Sequence, residues 1–318
     1  MKFISSVNPE YFKKVFIVRI LLFVFLTVFV FSCKKNSPEN QTEVKTEFSL
    51  KDDAGIECKF NSHPSRIISL APNITEALFA IGADSMVAGV TDLCDYPPEA
   101  KLKIRTGSYL NPDYEKILSL QPDLIIMYAE STSQPIHQAL KNYNLKIFVS
   151  NAKDIDGVIK MIKQFGTITG KNVKADEIAD SISALRNFYI SLNRNIIPRK
   201  SLIIVSVNPL MTANKETFIN EVVELSGFNN IYKDQIIEYP LISYEDANIK
   251  NPEFIILPGD TNNPSNYNKY RNELSEKLNT ADAVKQSKFI FADENVLFRP
   301  GPRVLDGVIL LRNKLQEF

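Results

Sequence analysis

Tyr114 to Ile126 reads Tyr-Glu-Lys-Ile-Leu-Ser-Leu-Gln-Pro-Asp-Leu-Ile-Ile, and Tyr244 to Ile256 reads Tyr-Glu-Asp-Ala-Asn-Ile-Lys-Asn-Pro-Glu-Phe-Ile-Ile. The second copy begins 130 residues after the first (244 − 114). Each opens with a carboxylate in the first turn of a short helix, where the helix dipole favours negative charge, and each helix is stopped by a proline that cannot continue it. The apolar runs that follow, Leu124 to Met127 and Phe254 to Leu257, are continuous rather than alternating. Such runs suit strands covered on both faces, so each copy reads as one helix-to-strand step of a parallel sheet. Two copies predict two similar lobes.

Around the first copy, strands are expected at Arg66 to Leu70, Met86 to Val90, Ile104 to Gly107 and Lys146 to Val149. A helix from Asn73 to Gly82 has Asn73 as expected N-cap and Glu76 as its capping-box partner, and further helices are expected near Pro112 to Leu120 and Pro135 to Asn142. Before them, Phe48, Leu50, Ile56, Cys58 and Phe60 alternate around Asp52-Asp53-Ala54-Gly55, the pattern of a hairpin. From Ile155 to Asn193 there is no proline, and Ile178, Ile182, Leu185, Tyr189 and Leu192 recur at helical spacing, which reads as two helices broken at Gly170. The second of these helices would be about 30 Å long, enough to connect two lobes. Around the second copy, strands at Ser201 to Val207 and Phe289 to Ala292 and helices at Thr217 to Leu225, Tyr267 to Leu278 and from Pro302 onward complete an α/β chain. The organisation expected is an N-terminal lobe at 48–151, a helical connector at 152–196 and a C-terminal lobe at 197–318. Both lobes carry a mostly parallel sheet flanked by helices, and a ligand cleft lies between them.

The first residues carry a different signal. Lys2, Lys13, Lys14 and Arg19 precede the apolar run Ile20 to Phe31, which is closer in length to a signal-peptide core than to a bilayer span. Val30-Phe31-Ser32-Cys33 resembles a bacterial lipobox, so residues 1–33 are expected to be a signal peptide with lipidation at Cys33. Residues 34–47 would then form a disordered tether, and the protein would be extracytoplasmic, anchored in the membrane by lipid alone. Cys58 and Cys94 remain, and an oxidising compartment leaves their pairing open against two separate buried thiols.

Composition excludes several classes. The 37 basic and 37 acidic residues balance, which gives no electrostatic footprint for nucleic acid. Two histidines, His63 and His137, are a poor basis for a metal site. Ser69, Asp95 and Glu76 could be assembled into a hydrolase, but no histidine accompanies them, and no phosphate-binding glycine loop is present. A surface adhesin, its lobes binding a macromolecule, is the other distant alternative. No catalytic residue, metal ligand or resident cofactor is assigned.

Ser69 to Glu76, Gly89-Val90, Asp95-Tyr96-Pro97-Pro98, Asn111 to Ile126, Glu216 to Asp234, Tyr239 to Ile256 and Phe298 to Arg303 together resemble the helical-backbone class of periplasmic substrate-binding proteins. That class serves ABC importers of cobalamin, siderophores and haem, and the likeness is greatest to its cobalamin-binding members. The resemblance implies a monomer that binds cobalamin or a related corrinoid between its lobes and delivers it to a permease dimer. Glu115 and Glu245 fall on the two family positions that dock against permease arginines, which would give the repeat a purpose: a pseudo-two-fold pair of carboxylates for a two-fold partner. The resemblance places Tyr109, Tyr128, Met211, Tyr239, Phe298 and Arg303 at the cleft, where flat or polarisable side chains would suit a large amphipathic ring. The competing reading of each is ordinary packing. Leu93 departs from the aromatic often found at its position. Haem or an iron-siderophore is the alternative ligand, with Arg303 and Arg105 available to anionic groups.

Overall fold

The computed structural model describes residues 47–108, 111–128, 140–143, 145–260 and 265–318. The signal segment, Cys33, nearly all of the tether, Tyr109 and most of the helix expected at Pro135 to Asn142 lie outside these residues. Strands β1 (Phe48–Lys51) and β2 (Glu57–Phe60) form the expected antiparallel hairpin. Its turn is organised by the buried Asp52 carboxylate, which accepts from the N–H groups of Ala54 and Ile56 and, 3.1 Å away, of Val149. One side chain thus shapes the turn and ties the hairpin to the lobe.

The first lobe continues through β3 (Ile67–Ser69), α1 (Pro72–Ala80), β4 (Val87–Val90), β5 (Ile104–Arg105), α2 (Tyr114–Ser119), β6 (Leu124–Tyr128) and β7 (Ile147–Ser150). Its five strands are all parallel, in the order β5-β4-β3-β6-β7. Two helices, α3 (Ile155–Thr169) and α4 (Asn172–Asn193), follow, separated at Gly170, whose φ of 71° ends the first. The second lobe then runs β8 (Arg199–Ile203), α5 (Phe218–Leu225), β9 (Phe228–Asn230), α6 (Tyr244–Lys250), β10 (Phe254–Gly259), α7 (Ser265–Lys277), α8 (Asp282–Lys285), β11 (Phe289–Asp293), α9 (Glu294–Phe298) and α10 (Val304–Gln316). Its four parallel strands are ordered β11-β10-β8-β9. In each sheet the lobe's first parallel strand sits between the next strand in sequence and the strand of the repeat, so the two lobes share one winding.

The repeat survives in backbone detail. Asp113 and Ser243 cap α2 and α6, each accepting from the N–H three residues on. Gln121 and Asn251, also 130 positions apart, take left-handed conformations with φ of 46° and 50° and turn the chain into Pro122 and Pro252. The strands divide their side chains in the same way. Leu124 and Ile126 of β6, like Phe254 and Ile256 of β10, enter one large apolar cluster; Ile125 and Met127, like Ile255 and Leu257, enter a smaller cluster private to each lobe. This double burial is why both runs are continuously apolar.

That large cluster also runs from one lobe to the other. It passes without interruption from Ile67 and Phe148 of the first sheet through Phe165 of α3, Ile182 of α4 and Val222 of α5 to Ile203 and Ile290 of the second. Helix α4, 22 residues and about 33 Å long, packs its first turns tightly on α3. A Cβ on Gly166 would lie 2.4 Å from that of Ala175, so only glycine permits the crossing. Farther along, Arg186 bonds Asp156 at 2.7 Å and Glu221 at 2.8 Å, and Asn193 donates to the carbonyls of Glu224 and Leu225, fastening the same helix to the second lobe.

The lobes also meet through charge. The carboxylate of Glu76, 2% exposed, accepts from Arg303 Nε at 2.8 Å and Nη2 at 2.7 Å, and from Arg299 Nη1 at 3.3 Å. Arg299 also bonds Asp95 at 2.7 Å, Arg303 lies 3.8 Å from the centre of the Tyr96 ring, and Asn73 donates to the carbonyl of Pro300. Asn73 and Glu76 therefore do not form a capping box. Ala71 is the N-cap, with no side-chain bond, Pro72 fills the first turn, and both polar side chains turn to the opposite lobe. Nor is Pro302 the first residue of the last helix, which begins at Val304 because the preceding turn carries Arg303 back to Glu76.

The cysteines are not paired. Cys58 donates to the Ile147 carbonyl at 3.3 Å, whereas Cys94 lies 3.1 Å from the hydroxyls of Thr75 and Thr91, and both are buried free thiols. Each belongs to its own packing site, which removes the advantage of a bridge. Burial, helped by the nearby Asp52, pushes the Cys58 thiol up to about 11.

Iodoacetamide at about pH 8 should leave Cys58 and Cys94 unmodified in the native protein and alkylate both in urea without reductant, as read by peptide mass mapping. The raised thiol means that Cys58 contributes its stability in full below the ordinary thiol value of 9.0, and that this contribution is lost as pH rises toward about 11. Urea midpoints of wild type and Cys58→Ala should accordingly converge over that interval. Glu76→Ala should lower the unfolding free energy by about 3 to 5 kcal/mol, the usual cost of stranding one side of a buried ion pair, measured by urea denaturation.

Candidate functional site

Every strand in both sheets is parallel, so each lobe gathers the loops that follow its strands at one edge, the usual place for a ligand in an open α/β sheet. In the first lobe this edge carries Ser69, Thr91 to Asp95, Tyr128 and Ser150 to Lys153. In the second it carries Val205 to Met211, Asp260 and the segment from Glu294 to Arg303. The clasp at Glu76 joins the two edges on one flank, and Lys153 meets Glu238 across the seam at 3.1 Å. With both partners about half exposed, that second bridge adds little to stability.

A hollow of about 440 Å³ opens at this edge of the second lobe. The Phe291 ring lines it and packs closely on Gly259, where a Cβ would come within 2.7 Å of the ring. Tyr267 stacks on Phe291 with centroids 4.4 Å apart, and Asn208, Asp260, Lys269, Tyr270 and Glu294 stand around it. The volume falls within the range of small-molecule pockets. Sequence reasoning missed this hollow, because its polar residues are scattered over two loops and two helices and form no motif.

The residues placed at the cleft by resemblance distribute unevenly. Tyr128 ends β6, half-buried, opposite Ser150 in register. Met211 is bridged through its backbone to both Ser206 and Leu241, which draws it beside the Tyr239 to Leu241 segment. Tyr239 itself is 41% exposed, in a run where Ile236, Ile237 and Leu241 are also exposed. Phe298 ends α9 and packs against the large shared core. None of these four lines the hollow, and Arg303 is taken up by Glu76. Arg105 is likewise engaged, donating to the carbonyls of Thr91 at 2.7 Å and Cys94 at 2.8 Å.

Electrostatics follow the contacts. Burial works to raise the Asp95 carboxyl, but the hydrogen bond and charge of Arg299 outweigh it and hold the group below its ordinary value. Burial works to lower Arg303, and Glu76 more than reverses it. Glu221 is raised, chiefly by burial, even though it bonds Arg186 and accepts from the Ile155 N–H. The elements of a hydrolase do not come together: the Ser69 hydroxyl is buried against Thr75, and Glu76 and Asp95 are spent on arginines. Among the described residues no group of three His, Cys, Asp or Glu side chains could hold a metal ion.

Glu115 and Glu245 are both exposed, each the second residue of its capped helix. Beside Glu245, Asn248, Ile249, Lys277 and Thr280 form an open depression. Three of the stretches that carried the resemblance meet in space: Ser69 to Glu76, Asp95 to Pro98 and Phe298 to Arg303 together make the clasp.

Comparison with known proteins agrees with this architecture. The family model described as periplasmic binding protein matches residues 67–296. A protein of Pectobacterium atrosepticum named vitamin B12-binding protein is 29% identical over 263 residues, covering 80% of this chain and 89% of that one. An uncharacterised ABC transporter substrate-binding lipoprotein of Bacillus subtilis, YvrC, is 27% identical over 86% of this chain and 87% of its own length. The crystal structure of the periplasmic vitamin B12 binding protein BtuF of Vibrio cholerae superposes with a TM-score of 0.68 at 26% identity, covering 80% of this chain and 97% of that one. Parallel winding in both lobes, a helical connection between them and a match over most of the folded chain lead to one assignment: the chain belongs to the periplasmic binding protein family, as a binding protein of the ABC importer type and not an enzyme.

Proposed function

We propose that this protein is the lipid-anchored receptor of an ABC importer, held to the membrane through Cys33, and that it captures cobalamin or a related corrinoid between the lobes of residues 48–151 and 197–318. It works as a monomer in the periplasm, needs no resident cofactor, and hands its ligand to a permease dimer that docks on Glu115 and Glu245. The observation that carries the choice of ligand is the commitment of the seam arginines. Arg299 and Arg303 are matched by Glu76 and Asp95, and Arg105 is bound to two carbonyls, so the arginines that an anionic siderophore or the propionates of haem would need already have partners. A large, amide-rimmed ring asks for none of them. Exposed tyrosine and aliphatic surface at Tyr239, Leu241, Ile236 and Leu93 is the kind of wall such a ring requires. The relatives named vitamin B12-binding protein support the same reading.

Titration calorimetry of the protein with cyanocobalamin and with dicyanocobinamide should give saturable heat, and protein purified from its host should carry a corrinoid absorption band. Heat with hemin or a ferric siderophore and none with either corrinoid would reassign the ligand. Exchanging both docking carboxylates, Glu115→Arg with Glu245→Arg, should cut cellular uptake by at least about tenfold, since two weak contacts joined at high effective concentration are lost together. Corrinoid affinity measured on the purified variant should stay within about twofold. Undiminished uptake would return both residues to the status of ordinary surface carboxylates.

A further inference from the structure

We infer that Glu76 is a specificity-determining residue, an internal counter-anion that occupies the two arginines of the seam and thereby closes the site to anionic ligands. The inference deepens the reading above and rests on it for the position of the ligand between the lobes.

The charges at this place are balanced: two guanidinium groups, from Arg299 and Arg303, are bonded by two carboxylates, from Glu76 and Asp95, while Asp293 near Arg303 and Lys101 near Asp95 add one charge of each sign at longer range. Arginine keeps its charge at any working pH, so the pair of cations is permanent and only its partner can change. Glu76 engages Arg303 with both oxygens at 2.7 and 2.8 Å and is 2% exposed. An incoming carboxylate would have to displace a bidentate, desolvated partner already in place, which leaves it no net gain. Arg299 is the more loosely held of the two: it lies 3.3 Å from Glu76, and its other partner, Asp95, is 48% exposed.

The consequence of removing the Glu76 charge follows. Glutamine preserves the size of the side chain and one carbonyl oxygen, but leaves a net positive charge at a partly desolvated seam. Arg303 would stay in place, because the Tyr96 ring 3.8 Å away holds it independently of Glu76. Such a site favours an anion, and the nearest supply is the ligand itself. The same carboxylate that pins the lobes together therefore also discriminates among ligands, by leaving an anionic group no unpaired cation to meet.

The test compares wild type, Glu76→Gln and Asp95→Asn in titrations with hemin and ferric citrate as anionic probes and dicyanocobinamide as a probe without carboxylates. The affinity ratio of each anionic probe to cobinamide should rise at least about tenfold in Glu76→Gln and by a smaller factor in Asp95→Asn. A variant that merely loosens the seam would lose affinity for all three probes together and leave the ratios where they were, and that result overturns the inference. If Glu76→Gln does not fold, Asp95→Asn decides, since Asp95 is about half exposed and its loss unpairs only Arg299. Should wild type show no heat with cobinamide, the corrinoid reading falls. The inference about Glu76 is then judged on the anionic probes alone: a gain supports it and no gain overturns it.

Discussion

Two arginines on one buried carboxylate hold this molecule in register. Glu76 sits one turn into the helix that follows the first parallel strand, and its partners arrive from more than 220 residues later in the chain. A carboxylate so deeply buried is tolerable only when paired and fully hydrogen-bonded. The loop from Arg299 to Arg303, the start of the final helix and the side chains of Asn73, Asp95 and Tyr96 are arranged to meet that demand. The spacing between the lobes, and so the dimensions of whatever lies between them, depends on it.

The remaining lobe-to-lobe contacts reinforce this. An apolar cluster passes continuously through the helices from one sheet to the other, Arg186 bridges α3, α4 and α5, and the close crossing at Gly166 seats α4 on α3. On the reading proposed above, a binding protein built in this way would offer its ligand a largely formed site rather than two domains that swing together. The energy of capture is then spent on contacts with the ligand, with little ordering of the protein to offset.

Much of the architecture was legible in the residues. The repeated Tyr-Glu and Pro-acidic pattern predicted paired helix-to-strand steps, and these recur down to the left-handed residues before Pro122 and Pro252. The hairpin around Asp52 and the helix break at Gly170 stand where local patterning put them. These signals are local: a proline, a glycine or an unbroken apolar run restricts the chain whatever surrounds it. The short strand Phe228–Asn230 and the helix Glu294–Phe298 were not anticipated. Both are too short for periodicity to register, and both are held by neighbours distant in sequence.

Side-chain partners were less legible. Asn73 and Glu76 have the spacing of a capping box, and nothing nearby in the chain says otherwise. Arg303 looked available to a ligand, and Cys58 and Cys94 looked able to pair. Sequence by itself determined the α/β winding and the two lobes, because backbone constraint and apolar patterning act over a few residues at a time. Only the tertiary structure decided that the seam arginines are neutralised, that the thiols stay apart and that a hollow forms over Phe291, because a charge or a thiol takes its role from partners that folding brings from elsewhere in the chain.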